Sequence, residues 1–239
     1  MNIQDWTQIH THILQLEQQG LVTRTFRRLD PERQQVIINA ILDEAVEKGP
    51  TSLNIKQVAE RAGVSVGSLY TYFGDREGLL TFTVELCMRF VVDSFNSYRP
   101  YLVALPLREA LAAYLLGGVE WSKTQEGLVQ FLARAAYRGD PTLVDQVVRP
   151  VGTMMREMVR DILTQAAARG EIREDVDLEA TVRVVNALLI AVGDSQLLPY
   201  LNVYFQVNDE DIPPERTLEA LVALILRGIG LKKEKKRED

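Results

Sequence analysis

Ser65, Val66, Gly67, Ser68, Tyr70, Thr71 and Tyr72 bring five hydroxyl groups, an aliphatic residue and a glycine into eight consecutive positions. Hydroxyls donate and accept hydrogen bonds, and small side chains between them let a surface approach closely. Together they suit contact with phosphate oxygens and base edges in a DNA groove. That chemistry needs a rigid element to hold the hydroxyls on one face, and the flanking residues supply it.

The stretch Asn54 to Phe73 reads as a helix, a tight turn and a second short helix. Ala59, Gly63 and Leu69 fall four and then six residues apart. Two steeply crossing helices need a small residue where they touch, which Ala59 provides. The turn needs a residue that tolerates positive φ, which Gly63 provides. Val64, Leu69 and Phe73 can plug the second helix into the first, and Ser65 is a good N-cap for it. Such a helix-turn-helix sends its second helix into the major groove of duplex DNA.

The run Ala62-Gly-Val-Ser-Val-Gly-Ser-Leu-Tyr-Thr-Tyr-Phe73, with Asp75-Arg76-Glu77 and Leu79-Leu80 after it, resembles the signature of TetR-type (TetR/AcrR family) transcriptional regulators. The resemblance covers about Asp30 to Phe90; beyond it the chain is similar only in length, helicity and layout. It implies an all-α homodimer: an N-terminal three-helix domain that binds operator DNA, and a larger C-terminal helical bundle that dimerises and binds a small molecule which releases the DNA. It also implies that Ser65, Gly67, Ser68, Tyr70, Thr71 and Tyr72 face DNA and that Arg76 reaches a phosphate. Two positions that are often basic in the family are Val66 and Gly74 here. Each removes a phosphate contact, which predicts weaker binding at high salt.

Charge points the same way. The chain carries a formal net charge of −6, yet Leu21 to Leu80 holds eight Lys/Arg and eight Asp/Glu. The reading head is neutral and the body carries the deficit. A neutral head binds non-specific DNA weakly, so recognition leans on dimerisation and base-edge contacts. With 239 residues, 46% of them apolar, the chain can form two domains with real cores. No apolar run reaches membrane-spanning length, and Asp5, His10 and Glu17 interrupt any secretory signal at the N-terminus. The single cysteine, Cys87, allows no internal disulfide and sits in an apolar helical run, which fits an inert core residue in a cytoplasmic protein.

Along the chain, Ile3, Trp6, Ile9, Ile13 and Leu16 predict a helix over Asn2 to Gln19, ahead of the usual family start. With the basic linker Arg24, Arg27 and Arg28 it forms segment 1–29, which could pack on the DNA-binding domain, grip phosphates or recruit a partner. The DNA-binding domain spans 30–90. Asp30 caps its first helix, whose buried face is Val36, Ile37, Ala40, Ile41 and Ala45, and Gly49-Pro50 ends it. Ser52 or Asn54 caps the next helix, and Asp75 and Glu77 begin one that runs to about Asn96. The ligand-binding and dimerisation domain spans 91–231. It holds helices over Leu107 to Lys123 and Gly127 to Arg138, a long one ending at Arg169-Gly170, one from Asp177 to about Leu198, a loop over Tyr200 to Pro214 and a last helix over Glu215 to Leu231. The last two long helices are broadly apolar and resemble the family's dimer interface, a four-helix bundle across a two-fold axis; an intrachain core is the other reading. The charged tail is 232–239.

A small-molecule site in a helical bundle is mostly apolar with a few placed polar groups. Tyr114, Trp121, Gln130, Arg134, Tyr137, Met154, Met158, Asn186 and Gln196 are candidates, with Arg134 and Arg138 one turn apart. Catalytic, cofactor and metal sites are not expected: there is no P-loop, dinucleotide fingerprint or nucleophile elbow. His10 and His12 are two residues apart, so they face different sides of a helix and read as surface residues. Two functions remain open. One is a ligand-gated regulator, a repressor released by a small molecule. The other is a DNA-binding factor controlled by a protein partner through Met1 to Gln19.

Overall fold

The computed structural model describes residues 6–49, 52–139, 141–209 and 211–231. Among these, isolated bridges occur but no strand forms, and every named element is helical. The start of the expected first helix, Asn2 to Asp5, and Pro50, Glu210, Asp140 and the tail 232–239 lie outside the described residues. No described helix is long and apolar enough to cross a membrane.

Helix ends fall where capping chemistry puts them. Helices α1 (Trp6–Gln18) and α2 (Arg24–Arg27) precede α3 (Pro31–Lys48). Asp30 accepts the Arg33 N–H at 2.9 Å and Pro31 occupies the first turn. Asn54 caps α4 (Ile55–Ala62) by accepting from the Lys56 N–H, and Ser65 caps α5 (Val66–Phe73) by accepting from the Ser68 N–H, each at 3.0 Å. Asp75 accepts the Gly78 N–H at 2.7 Å at the start of α6 (Arg76–Ala104). These are the orphan donors that a helix N-terminus must place.

The first compact unit comprises Met1–Phe95 and Thr124–Gly152. Its core gathers Ile9, Ile13 and Leu16 of α1, Phe26 of α2, Ile37, Ile38, Ile41 and Leu42 of α3, and Leu69, Leu79 and Phe82, all essentially without exposure. Of the face expected on α3, Ile37, Ala40, Ile41 and Ala45 are buried, but Val36 is exposed and Ile38 and Leu42 are buried instead. The apolar stripe is simply broader and rotated by one position. This unit also includes α8 (Glu126–Arg138), which packs on α3, followed by α9 (Pro141–Leu143) and a π-helical stretch Val144–Val148.

The second unit comprises Asn96–Lys123 and Thr153–Asp239. It holds the end of α6, most of α7 (Leu107–Thr124) and α10 (Arg149–Ala168), α11 (Leu178–Leu197, capped by Asp177), α12 (Pro199–Phe205) and α13 (Pro214–Ile229). Within it the Glu171 carboxylate accepts the Leu107 N–H at 2.6 Å and pairs with Arg169, whose guanidinium donates to the carbonyls of Val103 and Leu105. That cluster fixes the turn between α6 and α7.

Two expectations are corrected. Tyr200 to Pro214 is not one loop: Pro199 opens a helix of seven residues, because its fixed φ suits a first helical turn. Helix α6 runs to Ala104, past Asn96, with Pro100 inside it. Pro100 has no N–H to give the Asn96 carbonyl one turn back, and the helix continues through it.

Candidate nucleic-acid interface

Helices α4 and α5 meet as their spacing requires. Ala59 and Ala62 are buried where α5 crosses, and Gly63 sits at φ 60°, the left-handed conformation that ends α4. Arg33 reaches across from α3 and donates to the Gly63 carbonyl at 2.7 Å, which satisfies a turn that has no helical partner for it. Leu69 and Phe73 are buried and Val64 is half-buried, so α5 is anchored by one side only.

The opposite side carries the hydroxyls. Gly67 and Thr71 are exposed, Tyr70 is 45% exposed, and Val66 and Ser68 are half-exposed. Ser65 and Ser68 hydroxyl oxygens lie 2.9 Å apart, and the Thr71 hydroxyl donates to the Gly67 carbonyl at 2.9 Å. These bonds hold the side chains in fixed rotamers and leave oxygen lone pairs outward. Tyr72 differs: its ring packs on Phe26, centroids 5.6 Å apart, so much of it serves the core. Arg76 donates through Nε to the Leu53 carbonyl at 2.7 Å, tying the start of α6 to the entry of α4.

Several features here were invisible to pattern reading. Thr23 donates its N–H to the Tyr72 carbonyl at 2.9 Å and its hydroxyl to the Thr71 carbonyl at 3.0 Å, closing the C-terminal end of α5. Gln34, fully buried, donates to the carbonyls of Phe26 and Arg27. A Cβ at Gly78 would sit 2.1 Å from the Phe73 carbonyl oxygen, so only glycine lets α6 approach the end of α5 this closely. The glycine was in plain sight, but nothing local in sequence says that two backbones meet there.

The N-terminal segment packs on this unit. The Arg89 guanidinium on α6 donates to Gln15 and Gln19, each at 2.8 Å. His12, expected at the surface, is buried, with Nε2 2.8 Å from the Asp93 carboxylate. An open groove of about 470 Å³ is lined by His12, Gln15, Met88, Arg89 and Asp93. The basic linker is partly α2, and Arg27 is paired with Glu17, while Arg24 and Arg28 stay exposed. Lys56 is exposed on the first turn of α4. Arg61 pairs with Glu47 at 2.6 Å and approaches the buried Glu44 at 3.3 Å; the hydrogen bond from Arg61 holds the Glu47 carboxyl below its ordinary pKa.

The proposed effector residues divide between the two units. Gln130, Arg134 and Tyr137 lie on α8 in the first, and Arg134 donates to the Glu47 carbonyl at 3.2 Å. Tyr114, Trp121, Met154, Met158, Asn186 and Gln196 lie in the second. Met158 is buried in the core, and Gln196 donates to Asn208. The Tyr114 hydroxyl and the Asn186 side-chain oxygen are sealed from solvent without a hydrogen-bond partner, though the rest of each residue is half-exposed. Burial, and secondarily the charge of Asp194, push the Tyr114 phenol far above its ordinary pKa.

Two family models match the chain. Residues 37–81 match the bacterial regulatory proteins of the tetR family, and residues 107–202 match the C-terminal domain of SbtR-like transcriptional regulators. A BetI transcriptional regulator of Yersinia pestis (strain Pestoides F) is 32% identical over 95 residues, which cover 40% of this chain and 48% of that protein. The chain thus spans about half the length of that relative. Among solved structures, a TetR family regulator from Chloroflexus aurantiacus aligns with a TM-score of 0.64 at 19% identity, covering 88% of this chain and 99% of the other. The fatty acid degradation regulator FadR from Bacillus halodurans aligns with a TM-score of 0.61 at 15% identity, covering 83% and 99%.

Proposed function

The chain belongs to the TetR family of bacterial transcriptional regulators, and from that premise we propose that it is a homodimeric repressor released from its operator by a small molecule. The observation that carries this reading is the outward hydroxyl face of α5, anchored on one side by Leu69 and Phe73 and free on the other. Ser65, Val66, Gly67, Ser68, Tyr70 and Thr71 read base edges and nearby phosphates. Tyr72 contributes its phenolic end, and Arg76, which positions the start of α6, is the residue the family resemblance assigns to a phosphate. Arg24, Arg28 and Lys56 supply the phosphate cations that Val66 and Gly74 do not.

The dimer forms through α11 and α13. A groove of about 370 Å³ runs between them, lined by Ala180, Val184, Leu188, Leu224 and Gly228, and a two-fold partner would fill it with the same residues. Two copies then set α5 into successive major grooves about 34–36 Å apart. The effector binds in the second unit among Tyr114, Trp121, Met158 and Asn186. Unpaired buried polar atoms such as Tyr114 Oη and Asn186 Oδ1 are costly, and an effector that is largely apolar with one or two hydrogen-bonding groups would satisfy them. Its binding shifts α6 and with it the separation of the two recognition helices.

The reading in which a protein partner controls the chain through Met1 to Gln19 is less favoured, since Ile9, Ile13 and Leu16 are already buried. The test is a footprint of the purified protein on DNA flanking its own gene at moderate salt. Protection of a palindrome with half-sites about one turn apart is expected. Uniform, sequence-independent protection would sink the proposal.

A further inference from the structure

Helix α5 is eight residues long, and the carbonyls of a helix's last turn have no intrahelical donor. The chain that follows serves two of them: the Gly74 N–H reaches the Tyr70 carbonyl and the Asp75 N–H the Phe73 carbonyl. The two between are served by one residue from far upstream. Thr23, 48 positions before Thr71, donates its hydroxyl to the Thr71 carbonyl at 3.0 Å and its N–H to the Tyr72 carbonyl at 2.9 Å. Thr23 is also the N-cap of α2, where a threonine hydroxyl ordinarily accepts from the first turn of its own helix. It makes no such bond and is turned to α5 instead.

The surroundings of Thr23 keep it there. Phe26, fully buried, packs on Tyr72 and Phe73 with ring centroids 5.6 and 5.1 Å away. Gln34 of α3 donates to the carbonyls of Phe26 and Arg27, each at 3.0 Å. On the other side of Thr23, α1 is seated by the buried Ile9, Ile13 and Leu16 and tied to α6 by Arg89, which donates to Gln15 and Gln19. The donors that close α5 are therefore fixed to α3 and α6. They come from ahead of residues 37–81, the span that matches the family's DNA-binding model.

Tyr70 and Thr71 stand exposed in the turn that Thr23 holds. We propose that Thr23 is a positioning residue for operator recognition, which sets the angle at which the α5 side chains meet base edges. Reading a base edge by hydrogen bonds demands placement within about 0.5 Å and 10–20°. Attraction to phosphates is sequence-independent and tolerates a misaligned helix. Loss of the Thr23 hydroxyl should therefore cost specificity before it costs general DNA affinity. The inference rests on the reading of α5 as the DNA-contacting helix and adds a residue that acts through it.

The test compares wild type, Thr23→Val and Thr23→Ser by fluorescence anisotropy on the footprinted operator and on an unrelated duplex of the same length. Valine keeps the side-chain shape and the N–H bond but removes the hydroxyl, and serine restores one. Thr23 is exposed, so neither change disturbs the core, and melting temperatures check this. Thr23→Val should weaken operator binding about fivefold, the scale of one hydrogen bond, and leave the unrelated duplex unaffected. Thr23→Ser should recover the wild-type preference. Unchanged operator affinity in Thr23→Val overturns the proposal, as does a loss that serine does not recover. Equal losses on both duplexes also overturn it, and would mean that the hydroxyl itself meets a phosphate. A wild type that does not prefer its operator overturns the reading of α5, and this inference with it.

Discussion

At the scale of single residues, the structure separates side chains that hold the reading head together from those left facing outward. Tyr70 belongs to the second group. Tyr70→Ala should leave thermal stability within about 0.5 kcal/mol and weaken operator binding about tenfold or more, which is about 1.4 kcal/mol; fluorescence anisotropy with the footprinted operator measures it, and unchanged affinity would remove Tyr70 from the interface. Tyr114 makes the opposite kind of prediction. Its hydroxyl is buried without a partner, and such a group costs about 1–3 kcal/mol. Tyr114→Phe should therefore keep or raise the melting temperature of the free protein while weakening the effector. A clear drop in melting temperature would mean the hydroxyl is bonded after all. The outward side of α5 was legible in sequence, because hydroxyls, the glycine turn and the cap lie within one contiguous run. Tyr72 and Arg76 were only half legible: that one packs on Phe26 and the other holds the Leu53 carbonyl depends on segments 46 and 23 residues away.

At the scale of elements, caps and breakers told most of the helix boundaries, since Asp30, Asn54, Ser65 and Asp177 each bond the first turn they precede. What local signals missed were contacts made over distance. The closure of α5 by Thr23 and the burial of His12 against Asp93 need the N-terminal helix to be docked, and a pattern of apolar residues does not say on what. Helix α12 was missed because its apolar stripe faces outward, so it lacks the alternation of buried and solvated positions that marks a packed helix. The turn held by Glu171 carries a pH dependence. Burial raises the Glu171 pKa, but the Leu107 N–H and Arg169 outweigh it, and the net shift is below the usual 4.5. A depressed folded-state pKa stabilises the fold above the unfolded value and is lost as pH falls through the folded one. Glu171→Gln should thus lower stability at pH 7 and narrow the gap to wild type below about pH 4. Denaturant midpoints at the two pH values measure this, and a gap independent of pH would show that the carboxylate charge is not what holds the turn.

At the scale of the whole molecule, the proposed release of DNA is a coupling of two binding events. Whatever factor the effector removes from operator affinity, the operator must remove from effector affinity. Titrating the effector with and without a saturating operator fragment should give two dissociation constants whose ratio equals that factor, and identical constants would end the ligand-gated reading. The family's division into a reading head and a helical body was legible from the head's motif and the body's length. A site for the proposed effector was not, because candidate residues drawn from sequence fall in two separate units and no local spacing links them.

Pro100 gives α6 a mechanical character of its own. The carbonyl of Asn96 faces a residue with no hydrogen to offer, so the rod's compliance is concentrated in a single turn while the stretch from Arg76 onward stays stiff. In the release proposed above, that turn is where α6 would yield first, since bending there breaks no backbone hydrogen bond.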